Sequence, residues 1–312
     1  MKSFFPFKQN HWSLIAFLSF VAIFGSTCFA QKQERYLHET FSSLDTIKNI
    51  QFGHAINLKG EDEKLFLDFY QPHADLLKKR PLIVFVHGGG YTGGDKATGY
   101  PMVFTDGLVK RGYVVASINY RLGLEEPKTD TSYFEAMFRV MQDSKAAVRF
   151  LRKHAKDYGI DDRKIYIMGG SAGAHAVLHL AYLDEAELPA YYNKNKLGSM
   201  EGNAGNEGVS SKVNAVINCW GAIINMYWIK KGDIPLFGIQ GVTDIYVPVD
   251  SSDHMHGFKY GSRALYHHTQ SLGIYSGMKI YENTGHTLDN DVNKQKEALQ
   301  EACTWLYEIV KK

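Results

Sequence analysis

The chain predicts an α/β protein built on a mostly parallel sheet with helices on both faces. Three observations point there. Pro81 to Val86 and Tyr113 to Asn119 are nearly continuous apolar runs, as strands covered on both faces must be. Such runs alternate with segments of helical period, the signature of strand–helix–strand units. At 312 residues and 45% apolar, without a low-complexity tract, the chain can bury a large core.

The first thirty residues differ from the rest. Lys2 and Lys8 precede an apolar run from Leu14 to Phe24, and Cys28-Phe29-Ala30 places small residues at the −3 and −1 positions of a cleavage site. This reads as a signal peptide removed before Gln31, and the run is shorter than the roughly twenty residues a membrane span needs. The expected protein is therefore exported, periplasmic or secreted, with no stable span after cleavage. The remainder holds 33 basic and 33 acidic residues, so the basic balance of the full chain is no pointer to nucleic acid. Cys219 and Cys303 are the cysteines left. In an exported protein they are either one disulfide or two buried thiols.

Taken in order, residues 31–45 are a polar lead-in and 46–312 a single domain without repeat or linker. Ile47 to Asn57 and Lys64 to Tyr70 read as strands about a turn at Gly60-Glu61-Asp62, followed by the buried strand 81–86. A helix from Met102 to Arg111 leads to the strand 113–119, and Glu135 to Lys156 has long helical periodicity. Ile165 to Met168 is a strand that runs into Gly169-Gly170-Ser171-Ala172-Gly173, and helical spacing resumes through Ala181. Asp184 to Ser211 is rich in glycine and polar residues and reads as a long loop or small cap beside the site. Val213 to Asn218, Pro235 to Gln240 and Met278 to Tyr281 are short strands, separated by helices near Ser262 to Leu272 and from Asp289 to Lys311.

The chemistry centres on Ser171. A Gly-x-Ser-x-Gly between strand and helix is the context of a nucleophile elbow, whose strained turn tolerates only small neighbours and whose helix N–H groups face the reaction centre. A serine hydroxyl needs a histidine to take its proton and a carboxylate to hold that histidine's tautomer. Asp244 and His286 each lie just beyond a predicted strand end, where ligands bind in parallel sheets, and Asp250 and Asp253 are alternatives for the acid. His87-Gly88-Gly89-Gly90-Tyr91 ends the strand 81–86. Gly89, Gly90 and Ala172 are the candidate oxyanion donors. His87, Gly88 and Tyr91 are candidate substrate-binding residues, with His87 read as holding the loop by a hydrogen bond rather than as a second base. The cluster Asp253-His254-x-His256 and His267-His268, near Asp250, suggests a metal; it is polar loop followed by helix, and serine chemistry requires neither metal nor cofactor.

His87-Gly88-Gly89-Gly90, Asn119-Tyr120-Arg121-Leu122, Gly169 to Gly173, Asp244 to Pro248 and Gly285-His286 occur in this order. In that order they resemble the landmarks of the α/β-hydrolases of the carboxylesterase/lipase superfamily, specifically esterases with a three-glycine oxyanion loop. The resemblance spans Ile47 to the C-terminus. It implies an eight-stranded sheet with the first two strands antiparallel to their neighbours, Ser171 as nucleophile, Asp244 as acid and His286 as base. The chain departs from many eukaryotic members in carrying Gly170 where they have an acid, and it lacks their long insertions. The expectation is a serine carboxylesterase working through an acyl-enzyme on short-acyl esters, small or polymer-borne, including bulky alcohol esters. A serine peptidase or amidase and a non-catalytic binding protein are the alternatives.

Overall fold

The computed structural model describes residues 34–253 and 257–312, with Met1 and Ser3 besides. Apart from those two, the leader expected over residues 1–30 lies outside the described residues, as do His254 and His256. Residues 33–312 make one compact unit.

The described chain runs β1 (Leu44–Ile56), β2 (Asp62–Pro72), β3 (Arg80–Val86), α1 (Tyr100–Lys110), β4 (Val114–Ile118), α2 (Asp130–Lys153), β5 (Ile160–Gly170) and α3 (Ala172–Tyr182). After a short α4 (Lys194–Leu197) come β6 (Val216–Cys219), β7 (Leu236–Gly241) and a two-stranded ribbon, β8 (Ser251–Ser252) with β9 (Lys259–Tyr260). The chain closes with α5 (Ser262–Ser271), β10 (Ser276–Tyr281) and α6 (Val292–Val310). The main sheet has eight strands in the order β1-β2-β4-β3-β5-β6-β7-β10. β2 is antiparallel to both neighbours, and from β4 to β10 every pair is parallel. This is the α/β-hydrolase arrangement.

Alternation along single strands builds a core on each face. Leu82, Val84 and Val86 of β3 enter the core beneath α2 and α3, whereas Ile83 and Phe85 enter the core beneath α1 and α6. Each of these five side chains is fully buried, worth roughly 1.5–3 kcal/mol apiece in apolar transfer. A polar residue at any of them would place an unpaired group between sheet and helix.

Several boundaries differ from the sequence reading. α2 begins five residues earlier than its apolar period, because Thr129 and Ser132 form a reciprocal capping box that starts the helix on a polar turn. The last helix begins at Val292, capped by Asp291, rather than at Asp289. Thr287, Leu288 and Asp289 instead take φ of 55°, 55° and 57°, a left-handed turn pinned by the buried Leu288. Cys219 and Cys303 are both buried and free, so the disulfide alternative falls. The 184–211 segment is bound mainly to α2, where Gln142 Nε2 donates to the carbonyls of Leu197 and Ser199 at 2.6 and 2.7 Å. Lys145 and Arg149 hold Glu201 at 2.7 and 3.0 Å.

Candidate active site

Parallel strands deliver the site. β3, β5, β7 and β10 run the same way, so the turns after them gather at one edge of the sheet: the glycine loop, Ser171, Asp244 and His286 respectively. Ser171 is the N-cap of α3 with φ 53° and ψ −121°, a left-handed conformation that costs a non-glycine residue about 1–3 kcal/mol. Its N–H donates to Cys219 O at 3.0 Å. The turn is also over-determined by close packing. A Cβ on Gly173 would stand 2.2 Å from Val86 O and 2.4 Å from His87 O, so only glycine lets α3 approach the end of β3 this closely.

Ser171 Oγ lies 2.9 Å from His286 Nε2, and His286 Nδ1 lies 2.7 Å from Asp244 Oδ2. The carboxylate can only accept, so Nδ1 carries the hydrogen and Nε2 presents its lone pair to the serine hydroxyl. Asp244 has no exposed side-chain surface, and its other oxygen accepts the N–H groups of Tyr246 and Val247 at 2.9 and 3.0 Å. The left-handed turn after His286 and the bond from Gly285 N–H to Asp289 Oδ1 at 3.0 Å hold the histidine at the start of its loop.

The glycine loop is oriented from behind. Gly88 O accepts from His87 Nδ1 at 2.6 Å and from the Tyr120 hydroxyl at 3.3 Å. Gly89 O accepts the N–H groups of Thr92 and Gly93, both at 3.1 Å. In a trans peptide the N–H points opposite to the C=O, which turns the Gly89 and Gly90 N–H groups outward. Neither has a hydrogen-bond partner among the described residues. Ala172 N–H, first in α3, has no intrahelical acceptor. All three residues line one cavity with Ser171 and His286, of about 740 Å³.

Of the three residues expected to touch substrate, Tyr91 lines this cavity, while His87 and Gly88 do not. His87 is buried behind the loop, stacked on Tyr120 at 4.3 Å, and burial lowers its pKa. Gly88 is closed off by Tyr100, whose hydroxyl accepts its N–H at 2.7 Å. Those two positions therefore serve the loop rather than the ligand. From the 184–211 segment Tyr191 alone reaches the cavity.

Sequence reading missed His175 and His179 in the cavity wall, although their spacing of four and eight from Ser171 sets them on its face of α3. Burial lowers both pKa values, that of His179 to about 4, leaving neutral imidazoles. Lys259 and Asp130 also line the cavity; burial lowers the Lys259 pKa and Asp130 opposes that shift. Nothing in the local sequence pairs these two. His268 Nε2 donates to Ile229 O at 3.1 Å, and among the described residues no three His, Cys, Asp or Glu side chains converge as a metal site.

Fold and site together define an α/β-hydrolase with a serine, histidine and aspartate in hydrogen-bonded series. The chain belongs to the BD-FAE family, whose model matches residues 67–226. It is 36% identical over 126 residues to gut esterase 1 of Caenorhabditis briggsae, covering 39% of this chain and 21% of that protein. It is 30% identical over 135 residues to esterase E4 of Myzus persicae, covering 41% and 23%. The chain thus spans less than a quarter of the length of these two relatives. Thermogutta terrifontis esterase 2, phosphoramylated by tabun, superposes with a TM-score of 0.63 at 22% identity, covering 85% of this chain and 94% of that one. A truncated carbohydrate esterase from gut microbiota gives 0.63 at 19%, covering 88% and 98%.

Proposed function

We propose that this protein is a serine carboxylesterase that cleaves soluble, short-acyl carboxylic esters through an acyl-enzyme. The observation that carries the reading is the unbroken series Ser171 Oγ, His286 Nε2, His286 Nδ1, Asp244 Oδ2 at 2.9 and 2.7 Å, facing the outward N–H groups of Gly89 and Gly90. Its relatives at or above 30% identity include proteins named as esterases, which supports the same chemistry.

Each step follows from the geometry. Ser171 Oγ attacks the ester carbonyl as His286 Nε2 takes its proton, and Asp244 stabilises the imidazolium. The carbonyl oxygen, now negative, is met by the N–H groups of Gly89, Gly90 and Ala172. Collapse breaks the bond to the alkoxy oxygen, which leaves with the proton from His286. Water, deprotonated by the same nitrogen, then attacks the acyl-enzyme, and release of the acid returns the proton to Ser171. The polar, glycine-rich 184–211 segment is no apolar lid, which favours soluble esters over emulsified triglycerides.

Ser171→Ala tests the assignment. It should abolish hydrolysis of p-nitrophenyl esters in a protein that remains folded. Retention of more than about a thousandth of wild-type turnover, with host esterase excluded, overturns it. Matched p-nitroanilides and peptides measured alongside separate esterase from amidase. Export after cleavage at Ala30 is part of the same proposal, and the intact mass of the exported protein tests it. Among the described residues no helix is long and apolar enough to cross a membrane.

A further inference from the structure

We propose that Tyr100 is a positioning residue for the glycine loop, and that Gly170, bare of a side chain, provides the space its ring occupies. This rests on the reading of that loop as the oxyanion site. Tyr100 opens α1, and its hydroxyl accepts the Gly88 N–H at 2.7 Å. Its ring lies edge-on to the buried Trp220, with centroids 5.1 Å apart, and 6.2 Å from Phe85. A Cβ on Gly170 would stand 2.5 Å from both Tyr100 Cε2 and its hydroxyl oxygen. One phenol thus touches the residue before Ser171 and the first glycine of the loop.

The consequence is a loop held from two sides. His87 and Tyr120 hold the Gly88 carbonyl from behind. Tyr100 holds the Gly88 N–H from the cavity side, where it also lines the wall. With both peptides flanking Gly88 fixed, rotation about its φ and ψ is blocked, and the Gly89 N–H stays in place before substrate arrives. Preorganised donors of this kind are most of what an oxyanion site contributes. Burial raises the Tyr100 pKa, so the phenol stays neutral and keeps the same bond across the working pH range. A side chain longer than a hydrogen at Gly170 would meet the Tyr100 ring.

The test uses four forms of the full chain: wild type, Tyr100→Phe, Gly170→Ala and the double variant. Gly170 does not have a positive φ, so alanine suits its backbone and acts by displacing the ring. Titration with an organophosphate to its endpoint first counts reactive serines. In Tyr100→Phe, kcat for p-nitrophenyl acetate should fall roughly 10-fold, less than the loss from deleting an oxyanion donor. KM should stay within about twofold, and a trifluoromethyl ketone should bind more weakly by the same factor as kcat falls. Gly170→Ala should reproduce the defect, and the double variant should lose no more than either alone. An unchanged kcat and ketone affinity in Tyr100→Phe overturns the proposal, as does a double variant whose losses multiply. A wild type without a titratable serine overturns the esterase reading and this inference together, whereas intact titration with an unaffected Tyr100→Phe overturns this inference alone.

Discussion

Asp244 and His286 meet at 2.7 Å, while Asp250, six residues further along, is bound instead by Arg263 at 2.9 and 2.6 Å. The sequence favours Asp244, just beyond a predicted strand end, and leaves Asp250 as an alternative; in the fold the two have unrelated partners. Asp244→Asn should lower kcat by about four orders of magnitude with little effect on folding, because the amide favours the wrong imidazole tautomer. Asp250→Asn removes a half-exposed ion pair worth about 1 kcal/mol at most and should leave kcat unchanged. Steady-state kinetics of both variants, with Asp253→Asn as a further control, decide it. A crippled Asp250→Asn would reassign the acid.

The glycine loop admits a side chain at one position only. Gly89 has φ 118° and a Cβ there would stand 2.1 Å from Gly93 O, so Gly89→Val should disrupt the loop and depress every substrate alike. Gly90 has φ 60°, and a Cβ there would meet no atom within 4 Å, leaving only the left-handed penalty of about 1–2 kcal/mol. Gly90→Ala should therefore fold, and suppress hydrolysis of a tertiary-alcohol acetate far more than that of p-nitrophenyl acetate. Equal losses on the two acetates would show that the glycine is not there to make room for the alcohol.

His179 makes stability depend on acid. Its Nδ1 donates to His175 O at 2.7 Å, and burial lowers its pKa from 6.5 to about 4. Between those values the unfolded chain binds a proton that the folded chain does not. Stability contributed by the neutral imidazole is complete above pH 6.5 and is lost as pH falls toward 4, by roughly 3 kcal/mol. His175, shifted the same way, adds to the trend. Urea unfolding at about pH 7.5 and about pH 4.5 should show a smaller acid loss in His179→Gln than in wild type. Equal losses would remove His179 from the account.

Burial raises the thiol pKa of Cys219 well above its ordinary value and that of Cys303 to about 12. A charged aromatic disulfide reagent at mildly alkaline pH should label neither cysteine in the folded protein and both in denaturant. Rapid labelling of the native state would mean that one of the two core faces opens readily.

Local pattern made much of this protein legible. Apolar runs marked β3, β4 and β5, because a strand covered on both faces has no polar side to show. The order of Ser171, Asp244 and His286, each after a strand, identified candidate partners, because parallel strands bring their ends to one edge. Other features left no mark in nearby residues. Thr129 starts α2 by a side-chain bond that apolar periodicity does not register. His87 and Gly88 sit next to the cavity in sequence but behind the loop in space, since peptide orientation depends on Tyr120 and Tyr100, which lie 12 to 33 residues away. Sequence favoured Asp244 but left Asp250 open; the partners that separate them, His286 for one and Arg263 on α5 for the other, appear only in the fold. Sequence by itself determined which elements form and which residue types stand at the strand ends, because hydrophobic period and turn residues act over a few positions. Only the tertiary structure decided which carboxylate, carbonyl or N–H each side chain meets, because hydrogen bonds are directional and act within about 3 Å, a distance that neighbours in sequence do not predict.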